Sequence, residues 1–264
     1  MSDTLYLNVG DGTRIAYRLD GDPALPVLVL SNSIGTSLHM WDDEIPALAR
    51  HYRVLRYDTR GHGGSGVAPG AYSLDRLGRD VLELMDALSI QRAHFLGLSL
   101  GGFIGQWLGV HAPERIDRLI LSNTAAYWGP AAPWAARIDS VLRAPDMRDT
   151  AELFLSNWFP AHLLQANPPV VERYRAMLLA TDRHGLAGNY AAVRDADLRR
   201  SIALIRNPTL VIASQFDPVS TARDGELIAA TIPGATFKLL PGVHLAHVEF
   251  HDEFVATVLA FLAA

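Results

Sequence analysis

Three side chains far apart in the sequence have the types that acyl-transfer chemistry needs. The first is Ser99, inside Gly97-Leu98-Ser99-Leu100-Gly101, a G-x-S-x-G run. A serine hydroxyl is a poor nucleophile at neutral pH. It needs a base to take its proton, and the base needs an acid to orient it. His244 is the candidate base, in Pro241-Gly242-Val243-His244-Leu245-Ala246-His247, and Asp217 is the candidate acid, in Gln215-Phe216-Asp217-Pro218. Two alternatives stand beside these. His247 offers a second imidazole close by. His244, His247 and Glu249 together suggest a metal site, but the H-E-x-x-H helix that would support it is missing, so no metal is expected. For the acid, the slot one strand earlier holds Asn123, which is neutral, so Asp217 is favoured.

Attack on an ester carbonyl places negative charge on its oxygen, and two backbone N–H groups usually stabilise that charge. The expected donors are Leu100, directly after the serine, and Ile34, in Ser31-Asn32-Ser33-Ile34-Gly35-Thr36. Asn32 and Ser33 are read as shaping that loop. His62, in the glycine-rich loop 58–65, is read as scaffolding rather than chemistry.

These residues need elements that bring them together. Ala93-His94-Phe95-Leu96 is an apolar run of strand length, and a helix-like segment starts at Gly102, so Ser99 falls on a strand–turn–helix elbow. Residues 4–9 and 14–19 alternate apolar and polar about Asp11-Gly12, which predicts an edge hairpin. Continuous apolar runs at 26–30, 53–57, 116–121, 208–213 and 236–240 predict further strands. Helical spacing is read at 40–48, 74–88, 222–230 and 253–262. Residues 125–205 carry helical signals at 134–142, 150–158, 169–181 and 186–194 but no strand run. The expected fold is α/β, a mostly parallel central sheet with flanking helices and an inserted helical cap. Residues 1–124 and 206–264 would form the core, and 125–205 the cap. Ligands of such sheets bind at the carboxyl ends of the strands. Loop 31–36, Ser99, Asp217 and His244 all follow predicted strands, so they should converge.

Composition narrows the class. The chain of 264 residues is 49% hydrophobic, enough for one large domain, and carries a net charge of -5 with no cysteine. No basic tract points to nucleic acid, and no disulfide or thiolate metal site can form. No apolar run approaches the ~20 residues of a membrane span, and the polar start is followed by no apolar leader segment, so a cytoplasmic protein is expected.

The chain order serine, aspartate, histidine, the elbow Gly97-Leu98-Ser99-Leu100-Gly101-Gly102, loop 58–65 and His244-Leu245-Ala246-His247-Val248-Glu249 resemble the α/β-hydrolase superfamily. Ser31-Asn32-Ser33-Ile34-Gly35-Thr36, Tyr57-Asp58-Thr59-Arg60-Gly61-His62-Gly63 and Ile104-Gly105-Gln106-Trp107-Leu108 are more closely similar to its 3-oxoadipate enol-lactonase family. So are Asn123-Thr124-Ala125-Ala126, Trp134-Ala135-Ala136-Arg137-Ile138, Met177-Leu178-Leu179-Ala180-Thr181-Asp182 and Arg194-Asp195-Ala196-Asp197-Leu198-Arg199. Leu100 stands where that family usually has Met, and His247 where it often has Asn. The resemblance implies hydrolysis of 3-oxoadipate enol-lactone to 3-oxoadipate, a step of aromatic-compound breakdown, without metal or organic cofactor. It also implies a small anionic substrate, which a protein of net charge -5 must meet with a local cation. Arg137, sharing a helix face with Trp134, is the candidate. Other readings on the same scaffold are a different carboxylesterase, a carbon–carbon bond hydrolase, or a ligand-binding protein without turnover. Oligomeric state is not legible.

Overall fold

The alternation of short apolar runs with amphipathic segments resolves into strands and helices in the computed structural model, which describes residues 3–264. In chain order the strands are β1 (Leu5–Asn8), β2 (Arg14–Asp20), β3 (Val27–Ser31), β4 (Arg53–Tyr57), β5 (Ala93–Leu98), β6 (Ile116–Ser122), β7 (Thr209–Ser214) and β8 (Thr236–Leu240). The helices are α1 (Ile45–Leu48), α2 (Leu74–Ala87), α3 (Leu100–His111), α4 (Ala131–Arg143), α5 (Arg148–Trp158), α6 (Ala161–Ala166), α7 (Pro169–Ala180), α8 (Arg183–Asp195), α9 (Ala222–Thr231), α10 (Ala246–Glu249) and α11 (His251–Ala263). The strands form one eight-stranded sheet in the order β1-β2-β4-β3-β5-β6-β7-β8. The β1–β2 and β2–β4 pairs are antiparallel, and every pair from β4 to β8 is parallel. This is an α/β fold whose parallel part is covered on both faces, as its unbroken apolar strands require. Two buried clusters flank the sheet: Val29, Leu55, Phe95 and Leu121 belong to one, Leu28, Val54, Leu96 and Ile120 to the other. Adjacent strand residues thus point to opposite faces.

Local chemistry explains where the helices begin. Ser73 accepts a hydrogen bond from the Arg76 N–H at the start of α2, and Asp182 accepts from the His184 and Gly185 N–H groups at the start of α8. Thr221 and Asp224 form a reciprocal capping box on α9. The single helix expected over 40–48 is instead a 3-10 turn, Leu38–Trp41, followed by the short α1 with Pro46 in its first turn. Proline lacks the N–H that would continue an earlier helix. Between β6 and β7 stand five α-helices, α4 to α8, and a 3-10 turn at Ser201–Leu204. The extra one, α6, lies between Pro160 and the left-handed Asn167, too short for helical periodicity to mark it.

Buried ion pairs fix the end of β4 and the segment after it. The fully buried Arg56 guanidinium bonds Asp20 Oδ2 at 2.7 Å and Asp42 Oδ1 at 2.5 Å. Arg60, also buried, clasps both oxygens of Asp80 at 2.6 and 2.7 Å. Breaking such a pair strands a buried charge, so these clasps hold loop 58–65 in one place. Among the described residues no helix is long and apolar enough to cross a membrane.

Candidate active site

Strand order dictates the site. β5, β6 and β7 are neighbours running in parallel, and β8 follows β7, so the segments after them emerge side by side at one sheet edge. Ser99 is the turn between β5 and α3, with φ 60° and ψ -114°. A serine in that backbone region is strained and is held there by its surroundings. Glycine is required on both sides: a Cβ on Gly97 would strike the Gly101 backbone, and one on Gly101 would strike the Ser31 carbonyl. The Ser99 N–H donates to Ser122 O at 2.9 Å, and the Thr124 hydroxyl donates to Ser99 O at 2.7 Å, so β6 also grips the turn. The Ser99 side-chain oxygen itself is buried and has no hydrogen-bond partner.

Asp217 and His244 meet behind this serine. His244 Nδ1 lies 2.8 Å from Asp217 Oδ2, with both side chains buried. The other carboxylate oxygen, Oδ1, accepts from the Val219 N–H at 2.8 Å and the Ser220 N–H at 3.1 Å. Asn123 Nδ2 also donates to Oδ2, at 3.1 Å. A carboxylate with donors on both oxygens cannot rotate freely, which fixes the imidazole it holds. The His244 ring stacks on Trp158 of α5 with centroids 6.5 Å apart and planes 16° apart.

His247 goes elsewhere. It is buried on α10, its Nε2 is 2.9 Å from the Tyr174 hydroxyl, and its ring packs 5.1 Å from Trp41. Burial pushes its imidazole down to about 3, so it stays neutral. Glu249 accepts from the Val243 N–H at 2.8 Å. The three groups that suggested a metal therefore have separate partners and do not converge.

The loop after β3 supplies the other side of the site. The Ser33 N–H points at Met40 Sδ at 3.3 Å, and the Gly35 N–H donates to His62 Nε2 at 2.8 Å. Among the described residues, the N–H of Ile34, between them, finds no acceptor. Nor does the N–H of Leu100, the first residue of α3, where no earlier turn exists to accept it. Asn32 shapes this loop from within: its Nδ2 donates to Tyr57 O at 2.8 Å, and its Oδ1 accepts from Trp41 Nε1 at 2.9 Å. His62 holds it from outside. Because Nε2 accepts from Gly35, the ring is neutral, and burial pushes it down to about 4.

Ile34, Ser99, Trp134, Arg137 and His244 line one cleft of about 530 Å³. Asp217 lies behind His244, and Leu100 behind Ser99. The cleft's other wall comes from α4, α5 and α8, where Trp134, Phe154, Trp158 and Tyr190 form a run of touching rings. Arg137 lies on α4 with its guanidinium 4.7 Å from the centre of the Trp134 ring. It is exposed, it is the only arginine, lysine or carboxylate side chain among the described residues that line the cleft, and among them no carboxylate pairs with it. In sequence His62 reads as loop scaffolding, as its bond to Gly35 bears out, Asn123 reads only as the neutral occupant of the rival acid slot, and Trp158 is not singled out. Phe154 and Trp158 do carry a signal, since their i, i+4 spacing puts two aromatic rings on one helix face.

The geometry can therefore do acyl transfer: a serine on a strained turn, an oriented imidazole in the same cleft, and two free N–H groups beside it. A family model for the α/β hydrolase fold matches residues 26–250. The 3-oxoadipate enol-lactonase 2 of Acinetobacter baylyi is 38% identical over 246 residues, covering 93% of this chain and 92% of that protein. A hydrolase structure from Pseudomonas aeruginosa PA01 superposes with a TM-score of 0.98 at 62% identity, over 99% of each chain. The enol-lactonase structure from Burkholderia xenovorans LB400 does so at 0.95 and 40% identity, over 98% of this chain and 100% of that one. Putative carbamate hydrolases, such as one from Pseudomonas syringae pv. syringae at 32% identity over 90% of this chain and 94% of that protein, are more distant relatives.

Proposed function

The chain belongs to the α/β hydrolase fold family, and within it we propose a serine-dependent carboxylic ester hydrolase that opens 3-oxoadipate enol-lactone to 3-oxoadipate. The observation that carries this reading is the pairing of two features in one cleft: the Ser99, His244 and Asp217 constellation on the strand ends, and the unpaired Arg137 on the opposite wall. The identity to enol-lactonases over nearly the whole chain supports it. Helices α4 to α8, within residues 125–205, act as a cap over a core made of 1–124 and 206–264. A cytoplasmic location fits a substrate drawn from aromatic-compound breakdown.

In this mechanism Ser99 attacks the lactone carbonyl while His244 takes the hydroxyl proton. The N–H groups of Ile34 and Leu100 receive the developing oxyanion, and Asp217 stabilises the imidazolium. The ring C–O bond breaks, and His244 returns the proton to the enol oxygen. That enol becomes a ketone, which removes the nucleophile that would re-close the ring. Water, activated by His244, then releases the second carboxylate and regenerates Ser99. Arg137 holds the substrate's own carboxylate, and Trp134 supports the guanidinium from beneath. No step requires a metal or organic cofactor.

The test follows loss of enol-lactone absorbance with wild-type and Ser99→Ala protein. Wild type is expected to turn over, and the variant to lose at least about 10⁴-fold in kcat. Folded wild-type protein that leaves the enol-lactone intact while hydrolysing neutral esters, carbamates or ring-fission diketones would overturn the substrate assignment.

A further inference from the structure

One buried amide ties together three of the strand ends that build the site. Asn123 follows β6, the strand between those that lead to Ser99 and Asp217. It is 1% exposed and has φ 43°, a left-handed conformation that asparagine tolerates better than most residues. Asparagines in this conformation commonly serve local turns through bonds to their own neighbourhood. Here only Oδ1 does so, accepting from the Ser122 hydroxyl at 2.9 Å. Nδ2 reaches Ser214 Oγ at 2.8 Å at the end of β7, Asp217 Oδ2 at 3.1 Å, and Val243 O at 3.4 Å, directly before His244.

The oxygen it touches is the one that holds the imidazole. Asp217 Oδ1 is taken up by the Val219 and Ser220 N–H groups, so Asn123 is the remaining donor on the oxygen shared with His244. The contact with Val243 O ties the loop carrying the base to the same amide. We propose that Asn123 is a positioning residue for the Asp217–His244 pair, acting through the carboxylate rather than on the substrate. This rests on the reading of Ser99, Asp217 and His244 as a triad.

The other titratable or charged groups around the pair are few. His247 is neutral and turned to Tyr174, Glu249 is bound to the Val243 N–H, and Arg137 faces the cleft from α4. Trp158 covers the imidazole from α5, and Ser122, Thr124, Ser214 and Ser220 complete the strand ends.

The test is a double-mutant cycle read by the rate at which diisopropyl fluorophosphate labels Ser99, which does not depend on the natural substrate. Asn123→Ala is expected to slow labelling about tenfold in the wild-type background and by less than twofold in Asp217→Ala, because the residue acts through a carboxylate that is no longer there. Equal slowing in both backgrounds would mean packing only and would overturn the inference while leaving the triad intact. If folded wild-type protein is not labelled at all, the triad reading fails and takes this inference with it. Asn123→Asp is nearly isosteric and covers the case in which the alanine variant does not fold. A second carboxylate beside Asp217 favours protonated His244, so the acid limb of the labelling profile should move up by about one pH unit. A limb that stays in place would overturn the placement.

Discussion

The two walls of the cleft are built on opposite principles. On the strand-end side, Asn123, Asp217 and His244 are buried and joined by hydrogen bonds from 2.8 to 3.1 Å. On the helical side, the side chains of Arg137 and Asn157 have no hydrogen bond or ion pair among the described residues, and the surface between them is aromatic. The strand ends can hold a reacting geometry because a parallel sheet fixes their spacing and backbone bonds fix their loops. The helices α4 to α8 present rings and one loose cation, which suits holding a small anion by shape and charge. Under the proposed function, bond making falls to the first wall and choice of substrate to the second.

The comparison breaks if changes on the strand-end side fail to act on kcat. Asp217→Asn should cost the most, about 10⁴-fold in kcat with KM nearly unchanged, by analogy with other triads. The physical reason is local. Four N–H donors converge on this carboxylate, so an amide must turn its own NH₂ against some of them. Steady-state kinetics on the enol-lactone checks this, and a tenfold loss or less would mean that Asp217 is not the acid.

A smaller effect is expected one layer back. His62→Phe leaves the Gly35 N–H without its acceptor, which costs about 1–3 kcal/mol of stability. Because Gly35 adjoins Ile34, kcat should also fall by about tenfold while KM holds. Urea unfolding together with kinetics reads both. Unchanged kcat would detach this loop from oxyanion binding.

The mildest effect is on the pH dependence of stability. His247 is neutral in the fold down to about 3, whereas an unfolded histidine takes up a proton near 6.5. Below about 6.5 the unfolded chain therefore binds more protons, and stability falls with pH by about 1.4 kcal/mol per unit for each such residue. His62, pushed down to about 4, adds a term of the same sign. Glu44, pushed up to about 8 by burial, opposes both above 4.5, since it holds its proton in the fold. His247→Asn should flatten the wild-type slope between pH 5 and 6.5 by one histidine's share, while activity at neutral pH changes little. Unchanged slope in urea titrations would contradict the buried neutral state.

Much of the strand-end wall was legible in sequence, because its signals are local. The G-x-S-x-G turn announces Ser99, and apolar runs place Asp217 and His244 just past strands. In sequence His244 is the candidate base because it directly follows a strand, with His247 as its alternative. Burial decides between them: one imidazole meets Asp217 and the cleft, while the other is enclosed by Trp41, Tyr174 and Phe254. The support of Gly35 by His62, and of Asp217 by Asn123, was not legible. Each is a contact between residues far apart in the chain, and nothing in either neighbourhood marks the partner. The short α6 escaped for a different reason, since fewer than two helical turns carry little periodicity.

The division between the two walls is tested most directly by Arg137→Ala, assayed as kcat/KM on the anionic enol-lactone and on a neutral p-nitrophenyl ester. The account predicts a loss of about tenfold or more on the lactone, carried by KM, and less than twofold on the ester, so that the ratio between substrates collapses. Equal losses on both substrates would contradict it, because Arg137 would then be shaping the cleft rather than recognising charge.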